Sequence, residues 1–444
     1  MNSRSLPTSN KFSASPLATE DQAEVERTAL RLLQRPEVQQ ARVEAKARFQ
    51  ADSVAKTPAG SKTLDQGVDE CILAEIYDTI LNDVSKPRVF WIETPPHSWF
   101  GHSIGGARYF NDNPDMLTRA ANLDPAGSYE IHGRPASVRQ AALSFQLYHD
   151  NSYGLVLPGV PSRSSSSREK FDTPLGGIFE DKLEVASDGS YTITLSPEPA
   201  EGRANHIQTH RDACALLIRS VLSDWSTQDP DWLEIRRLDQ PAHPTMLSDA
   251  DLAAQVVQRL KGDVPFWLKA NHFFLFDNPS NLLPTPQARG GGWGYSSVGN
   301  YKLGNEEALL ITIHPMGARY TGFVVSNPWS ISCEHIRHSA SLNNTQTHPN
   351  ADGSCTYVIS PTDPGVANWL YTGGMDIGGY FVRWMKFPQL PRSGDGLVRE
   401  VKLVRIPELD QVLPKDIPRL TPAQRAVELA ARSKAYERRL AYQP

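Results

Sequence analysis

The sequence predicts a mainly β protein with flanking helices. It reads as an α+β chain with two β-sandwich or jelly-roll-like regions and helical N-terminal, middle and C-terminal segments. Three observations carry this. Short apolar runs rich in Val, Ile, Phe and Tyr recur in two stretches, 85–200 and 295–406. Turn-forming residues separate them, with Pro 34 and Gly 30 in the chain. Runs with helical spacing fall outside those stretches, in 19–84, in parts of 201–294 and in 407–444.

Residues 1–18 are rich in Ser, Asn and Pro and read as a disordered tail. From Thr19 the spacing turns helical, with Val25, Leu30, Leu32 and Leu33 near one face. Pro36 suits the start of a further helix, and Gln66–Leu81 carries Val68, Ile72, Leu73, Ile76 and Ile80. Strands are predicted at Arg88–Ile92, Ser128–His132, Ala142–Tyr148, Leu183–Val185 and Tyr191–Leu195. Asp188-Gly189 marks a hairpin turn, and the serine run in Ser162–Arg168 a flexible loop. Helices are predicted over His210–Trp225 and Ser248–Lys261, the second capped by Ser248 with Asp251 at its third position. Asn278–Gly294 is a loop. Strands follow at Leu309–Ile313, Ala318–Ser326, Thr356–Ile359, Gly379–Met385 and Val398–Ile406. Thr421-Pro422 then opens a last helix to Leu440, since Thr caps well and Pro suits the first helical position.

The net charge of -5 and 21% charged residues fit a globular chain. No basic excess points to nucleic acid, and no run approaches the ~20 apolar residues of a membrane helix. The polar start lacks the apolar core of a signal peptide, so a cytoplasmic location is expected. Cys71, Cys214, Cys333 and Cys355 form no CxxC pair, which argues against a disulfide framework. Cys333 and Cys355 flank one hairpin-like segment and are the one pair placed to face each other.

Several blocks together resemble the DUF1214 family. They are Asn343-Asn344-Thr345-Gln346 with His348, Asp363-Pro364-Gly365, Asn368-Trp369 and Arg383-Trp384. Upstream stand Pro95-Pro96-His97-Ser98-Trp99-Phe100-Gly101, Asn113-Pro114-Asp115 with Arg119, Asn205-His206, and Arg219 followed by Asp224-Trp225. The resemblance spans roughly residues 85 to 385. It implies a mostly β, jelly-roll-like C-terminal part and no agreed activity, cofactor or mechanism. Ser220 departs from the Asp expected after Arg219.

The polar loops give the candidate site. His348 is the first choice for proton transfer, because an imidazole titrates near neutral pH, and His206 is the second. Asn343 and Asn344 are candidates for polarising a substrate oxygen. Gln346, Arg119, His97 and the aromatics Trp99, Trp293, Tyr295 and Trp329 are candidates for lining the pocket. Against this, Asn and Thr also shape tight turns through their own backbone. Arg219 and Asp224 read as a structural ion pair under Trp225. His206 and His210 lack a third ligand, and His335 and His338 beside Arg337 read as a solvated loop, so no metal is expected. No GxGxxG after a strand, Walker A or GxSxG pattern occurs, and no cofactor is expected. The expected function is a cofactor-independent lyase, isomerase or hydrolase. It would use acid–base chemistry on a hydrophobic, oxygen-bearing small molecule. The alternatives are a non-catalytic binder of a glycan or lipid-like ligand, and a homo-oligomeric assembly protein.

Overall fold

The computed structural model describes residues 15–108, 112–148, 174–210, 215–239 and 247–441. Helices α1 (Glu20–Leu33), α2 (Pro36–Ala51), α3 (Pro58–Lys62) and α4 (Leu64–Leu81) come first. The next strands are β1 (Phe90–Trp91), β2 (His97–Trp99), β3 (His102–Ile104), β4 (Met116–Asn122), β5 (Tyr129–Arg134) and β6 (Ala142–Tyr148). After them come β7 (Gly176–Phe179), β8 (Tyr191–Ser196), β9 (His206–Gln208), β10 (Ala215–Val221) and β11 (Trp232–Arg237). Helix α5 (Asp249–Asn271) leads to β12 (Gln287–Arg289), β13 (Gly294–Lys302), β14 (Glu307–Ile313), β15 (Tyr320–Ser326) and β16 (Ser341–Asn343). Last come β17 (Cys355–Ser360), β18 (Trp369–Tyr371), β19 (Ile377–Met385), β20 (Val398–Arg405), α6 (Leu409–Val412) and α7 (Pro422–Glu437).

The strands form two sandwiches of one design. The first pairs a sheet ordered β1-β4-β10-β6-β7 with one ordered β11-β5-β8-β9. The second pairs β12-β13-β19-β15-β16 with β20-β14-β17-β18. The orders correspond strand for strand, down to one parallel pair in each, β8 with β9 and β17 with β18. Local chemistry repeats too. Residues 188–197 and 352–361 share the pattern Asp-Gly-Ser-x-Thr-x-x-x-Ser-Pro. Asp188 and Asp352 accept from the N–H and hydroxyl of Ser190 and Ser354 at matching distances, 2.9 and 2.7 Å against 2.9 and 2.6 Å. Gly189 and Gly353 both take φ 80°, a left-handed value that favours glycine. The sandwiches are therefore an internal structural repeat.

Each sandwich has its own apolar core. Phe145, Ile193, Leu216 and Ile218 belong to the first, and Phe323, Tyr357, Val382 and Trp384 to the second. A smaller cluster, with Val221, Trp293, Tyr320 and Met385, joins the large sheets. Helices α1, α2, α4 and α5 pack as one layer against the outer face of the first large sheet through Ala120, Ala215 and Leu217. Helix α4 is buried almost throughout and carries Glu70, Glu75 and Asp78 in that layer. Each is held by a partner, Glu70 by Arg108, and Glu75 and Asp78 by Arg259. Helix α7 crosses back to both sandwiches. Near its end, the N–H of Ser15 donates to the carbonyl of Ala441 at 2.8 Å.

Several expectations need correction. The segment read as a helix over His210–Trp225 contains strand β10, the middle of the first large sheet. Both of its faces are covered, so it lacks the alternation that marks a half-buried strand. With β9 and β11 it carries the first sandwich on to Arg237. No strand forms at Leu183–Val185. Leu17, expected in a disordered tail, is buried beside Trp91, Trp99 and Tyr436. Residues 1–14 and the Ser162–Arg168 loop lie outside the described residues. Cys333 and Cys355 are free thiols, in keeping with the reading against a disulfide framework. The capping box at Ser248 and the Thr421-Pro422 start of α7 form as the sequence predicts.

Candidate functional site

The residues chosen from sequence do not converge. The His348 side chain is exposed, and its backbone is what the fold uses. Asn368 accepts from the His348 N–H at 2.7 Å and donates to its carbonyl at 2.8 Å. Asn205 clasps Glu184 in the same way, at 2.8 and 2.6 Å. Both asparagines are left-handed, with φ 57° and 50°. His348 and Glu184 are thus counterparts, as are Trp369 and His206. The position tolerates an unrelated side chain in each case, which argues for a backbone role. His206 lies at a sandwich edge, between the Thr194 hydroxyl at 2.7 Å and the Glu198 carbonyl at 2.8 Å.

Other candidates serve packing. Arg119 donates to the Asp231 carbonyl at 2.7 Å and to Ser220 at 3.4 Å, so the unexpected serine receives a different arginine. Asp224 accepts from Ser226 and Thr227 in its own turn, while Arg219 donates to Gln146 and Tyr148, both at 3.0 Å. Trp293 also donates to Gln146, and the Tyr295 hydroxyl to the Pro391 carbonyl. His97 and Trp99 meet at the buried Glu26, which also receives Gln22 and His102. Burial works to raise the Glu26 pKa, but these bonds, led by His97, leave it below the ordinary range. Trp329 packs under the helices on Phe49, beside a cavity of about 30 Å³. That volume suits about one water and no larger ligand.

Asn343 is the exception, because it enters the junction between the sandwiches. Its Nδ2 donates to the buried Asp115 carboxylate at 2.8 Å. Tyr320 and Trp225 donate to the same carboxylate, each at 2.7 Å. The donors come from both sandwiches, so Asp115 ties them together. Burial raises its pKa, while bonds from Tyr320 and Asn343 pull the other way. Asn344 sits at the surface, accepting from the Thr321 N–H at 3.2 Å. Gln346 accepts from Arg432 of α7 at 3.3 Å.

The arrangement with the most chemistry lies beside this tie. A cavity of about 420 Å³ opens where the α3–α4 corner, the Pro95-Pro96 loop and the loop after β15 meet. Its lining includes Lys62, Gln66, Asn327, Arg108, Ser332, Cys333, His335 and Arg337. Its size is that of small-molecule sites. Arg108 makes a bidentate pair with Glu70, at 2.9 and 2.6 Å, and reaches the Ser332 carbonyl at 3.3 Å. Asp112 accepts from the Ser332 N–H at 2.7 Å and its hydroxyl at 2.6 Å. The Ser332 Oγ then stands 3.2 Å from His335 Nδ1, which also faces the Cys333 carbonyl at 3.3 Å. His335 is buried, not solvated as expected, and its Nε2 has no hydrogen-bond partner among the described residues. A buried ring nitrogen left so is costly and calls for an explanation.

Electrostatics sharpen the arrangement. Burial pushes the Asp112 carboxyl up to about 6, with Arg108 and the Ser332 bonds opposing it. Burial, then the charges of Arg108, Arg432 and Arg439, hold His335 well below the ordinary imidazole range. It is therefore a neutral ring at pH 7. Burial raises the Cys333 thiol to about 12, so it is no thiolate nucleophile. Helix α7 fixes the histidine from behind, as Arg432 donates to the His335 carbonyl at 2.6 Å and Tyr436 packs its ring edgewise at 5.1 Å. Among the described residues no group of three His, Cys, Asp or Glu is placed to hold a metal. No helix there is long and apolar enough to cross a membrane. No local pattern joins Asp112 to Ser332 and His335, which lie 220 or more residues further along the chain. The resemblance stopped one residue short of Asp112, at Asn113-Pro114-Asp115.

Comparisons agree with this architecture and assign no activity. Residues 107–222 match the family described as "Protein of unknown function (DUF1214)", in line with the resemblance read from the sequence. The match lies in the first sandwich. The Asn343–Trp384 blocks lie in its structural counterpart. Among solved structures, an uncharacterized protein from Burkholderia cenocepacia shares the fold. The similarity covers 90% of this chain and 100% of that one, at 23% identity and TM-score 0.62. A Vibrio parahaemolyticus protein is similar over 66% of this chain and 90% of its own, at 10% identity and TM-score 0.39. No curated protein matches.

Proposed function

We propose that this chain is a cofactor-independent acid–base enzyme whose site is the 420 Å³ cavity between the helices and the two sandwiches. His335 is the proton-transfer group. Its substrate is a small oxygen-bearing molecule carrying a negative charge. The observation that carries the reading is the Asp112–Ser332–His335 line, which ends in a buried ring nitrogen with no hydrogen-bond partner among the described residues, beside a cavity of substrate size. The neutral ring offers a lone pair at pH 7, and because burial opposes an imidazolium, a proton taken at one nitrogen is matched by one passed from the other through Ser332 to Asp112. Lys62 and Arg337 at the exposed rim outweigh the one carboxylate there, Glu334, and favour an anionic group over the purely hydrophobic ligand expected from sequence. Proton transfer of this kind serves a lyase, an isomerase or a hydrolase alike.

The test is a thermal-shift screen of small carboxylates and hydroxy- or keto-acids, followed by turnover assays on the compounds that bind. Lys62→Ala with Arg337→Ala should weaken binding about tenfold. His335→Gln should keep binding and cut turnover by about 100-fold. Compounds that stabilise the protein equally in the Lys62/Arg337 double variant would remove the cavity from consideration. Binding without turnover in the unmodified protein would leave a binding protein in place of an enzyme.

A further inference from the structure

We propose that Asp112, acting through the Ser332 hydroxyl, sets which ring nitrogen of His335 carries the proton. This rests on the reading of His335 as the proton-transfer group and makes Asp112 and Ser332 its positioning residues. The argument is a count of protons along one line. Ser332 has a single hydroxyl proton. When Asp112 is ionised, its Oδ2 is an acceptor only and takes that proton at 2.6 Å. The Ser332 Oγ is then left as an acceptor. Arg108 reaches that oxygen only at 3.5 Å, and His335 Nδ1, 3.2 Å away and facing a lone pair, is satisfied as a donor. The Cys333 carbonyl at 3.3 Å, also an acceptor, favours the same tautomer. Nε2 is then a lone pair, a base.

Protonating Asp112 reverses the line. Oδ1 stays an acceptor for the Ser332 N–H at 2.7 Å, so the new proton sits on Oδ2 and is donated to the Ser332 Oγ. The serine proton must now find another acceptor, and His335 Nδ1 is the one within reach. The change balances when Nε2 takes a proton from solvent while the Nδ1 proton passes to Ser332 Oγ and the serine proton to Asp112 Oδ2, so that Nε2 becomes a donor. No net charge is added to the histidine. Direct protonation of the ring is opposed by burial and by Arg108, Arg432 and Arg439 around it. The groups that act on Asp112 from neighbouring elements are Arg108 and Glu70, with Arg383, Cys333 and Tyr436 also in electrostatic range. Burial raises the Asp112 carboxyl to about 6, which puts the reversal within an ordinary working range.

The experiment is nitrogen NMR of the full chain labelled with ¹⁵N-histidine, from pH 5 to 8, with His335 assigned by the signal lost in His335→Gln. The expected result is an Nδ1–H ring at pH 8 and an Nε2–H ring at pH 5, with a midpoint near pH 6 and no imidazolium. In Asp112→Asn the amide oxygen must accept the Ser332 N–H, so its NH₂ faces the hydroxyl. That variant should hold Nε2–H at every pH. Ser332→Ala, a second and smaller change, should abolish the step. One tautomer throughout, an imidazolium at pH 5, or a step that survives Asp112→Asn would overturn the proposal. The measurement needs no substrate. A tautomer switch without ligand binding sinks the functional reading and leaves the relay, and ligand binding without a switch does the reverse.

Discussion

In the first sandwich Asn205 clasps the backbone of Glu184, and in the second Asn368 clasps that of His348. The clasp, the Asp-Gly-Ser turn and the strand order repeat, while the side chain at the clasp does not. What the repeats share is what the fold needs. What they do not share is where distinct chemistry can lie. The loop after β15 carries Ser332 and His335, and the segment entering β4 carries Asp112 and Asp115. Each sandwich thus brings half of the candidate site, and the helices bring the wall behind it.

The largest expected effect tests the join between the helices and the first sandwich. Arg108→Met should destabilise the protein by about 3–5 kcal/mol, because Glu70 is left charged and buried without its partner. Urea unfolding checks this, and a loss under about 1 kcal/mol would mean that the pair does not hold the helices to the sandwich.

The next test concerns the half-site from the first sandwich. The folded pKa of Asp112 stands near 6, above its ordinary 3.8. The folded state therefore binds this proton more tightly than the unfolded state. Asp112 favours folding below pH 4. That contribution fades as pH rises to 6, about 3 kcal/mol in all. Asp112→Asn should flatten this part of the stability–pH curve. Equal slopes in both proteins would place the carboxyl in a wetter setting than its burial indicates.

The smallest effect sharpens the repeat itself. Asn368→Ala should cost about 2 kcal/mol, through lost backbone bonds and a left-handed alanine. Asn205→Ala, at a half-buried position, should cost about 1 kcal/mol by the same route. Thermal unfolding of the two variants side by side decides it. A larger loss at Asn205 would reverse the order that burial sets.

The sequence made part of this legible. Helices α1, α4, α5 and α7 announced themselves through spacing and caps, because those signals are local. Strand β10 did not, since Leu216, Leu217, Val221 and Leu222 form an apolar run that suits a buried strand or a helix equally. The repeated Asp-Gly-Ser-x-Thr-x-x-x-Ser-Pro is present in the letters, but so short a match between the halves stands out only once the strand orders are set side by side. The candidate site was not legible. A histidine beside Arg337 and His338 looks solvated until the helices and α7 cover it. Asn343, expected to polarise a substrate oxygen, donates to the Asp115 carboxylate, a partner 228 residues away that no local pattern reveals.

The meeting of Ser15 with Ala441 has a consequence in time. The segment before α1 and the segment after α7 must find each other across more than 400 residues of intervening chain, a long loop to close. Arg432, which braces His335, arrives with that last helix. Each sandwich can form its own core as soon as its strands have been synthesised, but the brace cannot. During synthesis, therefore, the two sandwiches are expected to stand complete before the place between them can work. An unfinished chain would be folded in parts, with His335 still unbraced.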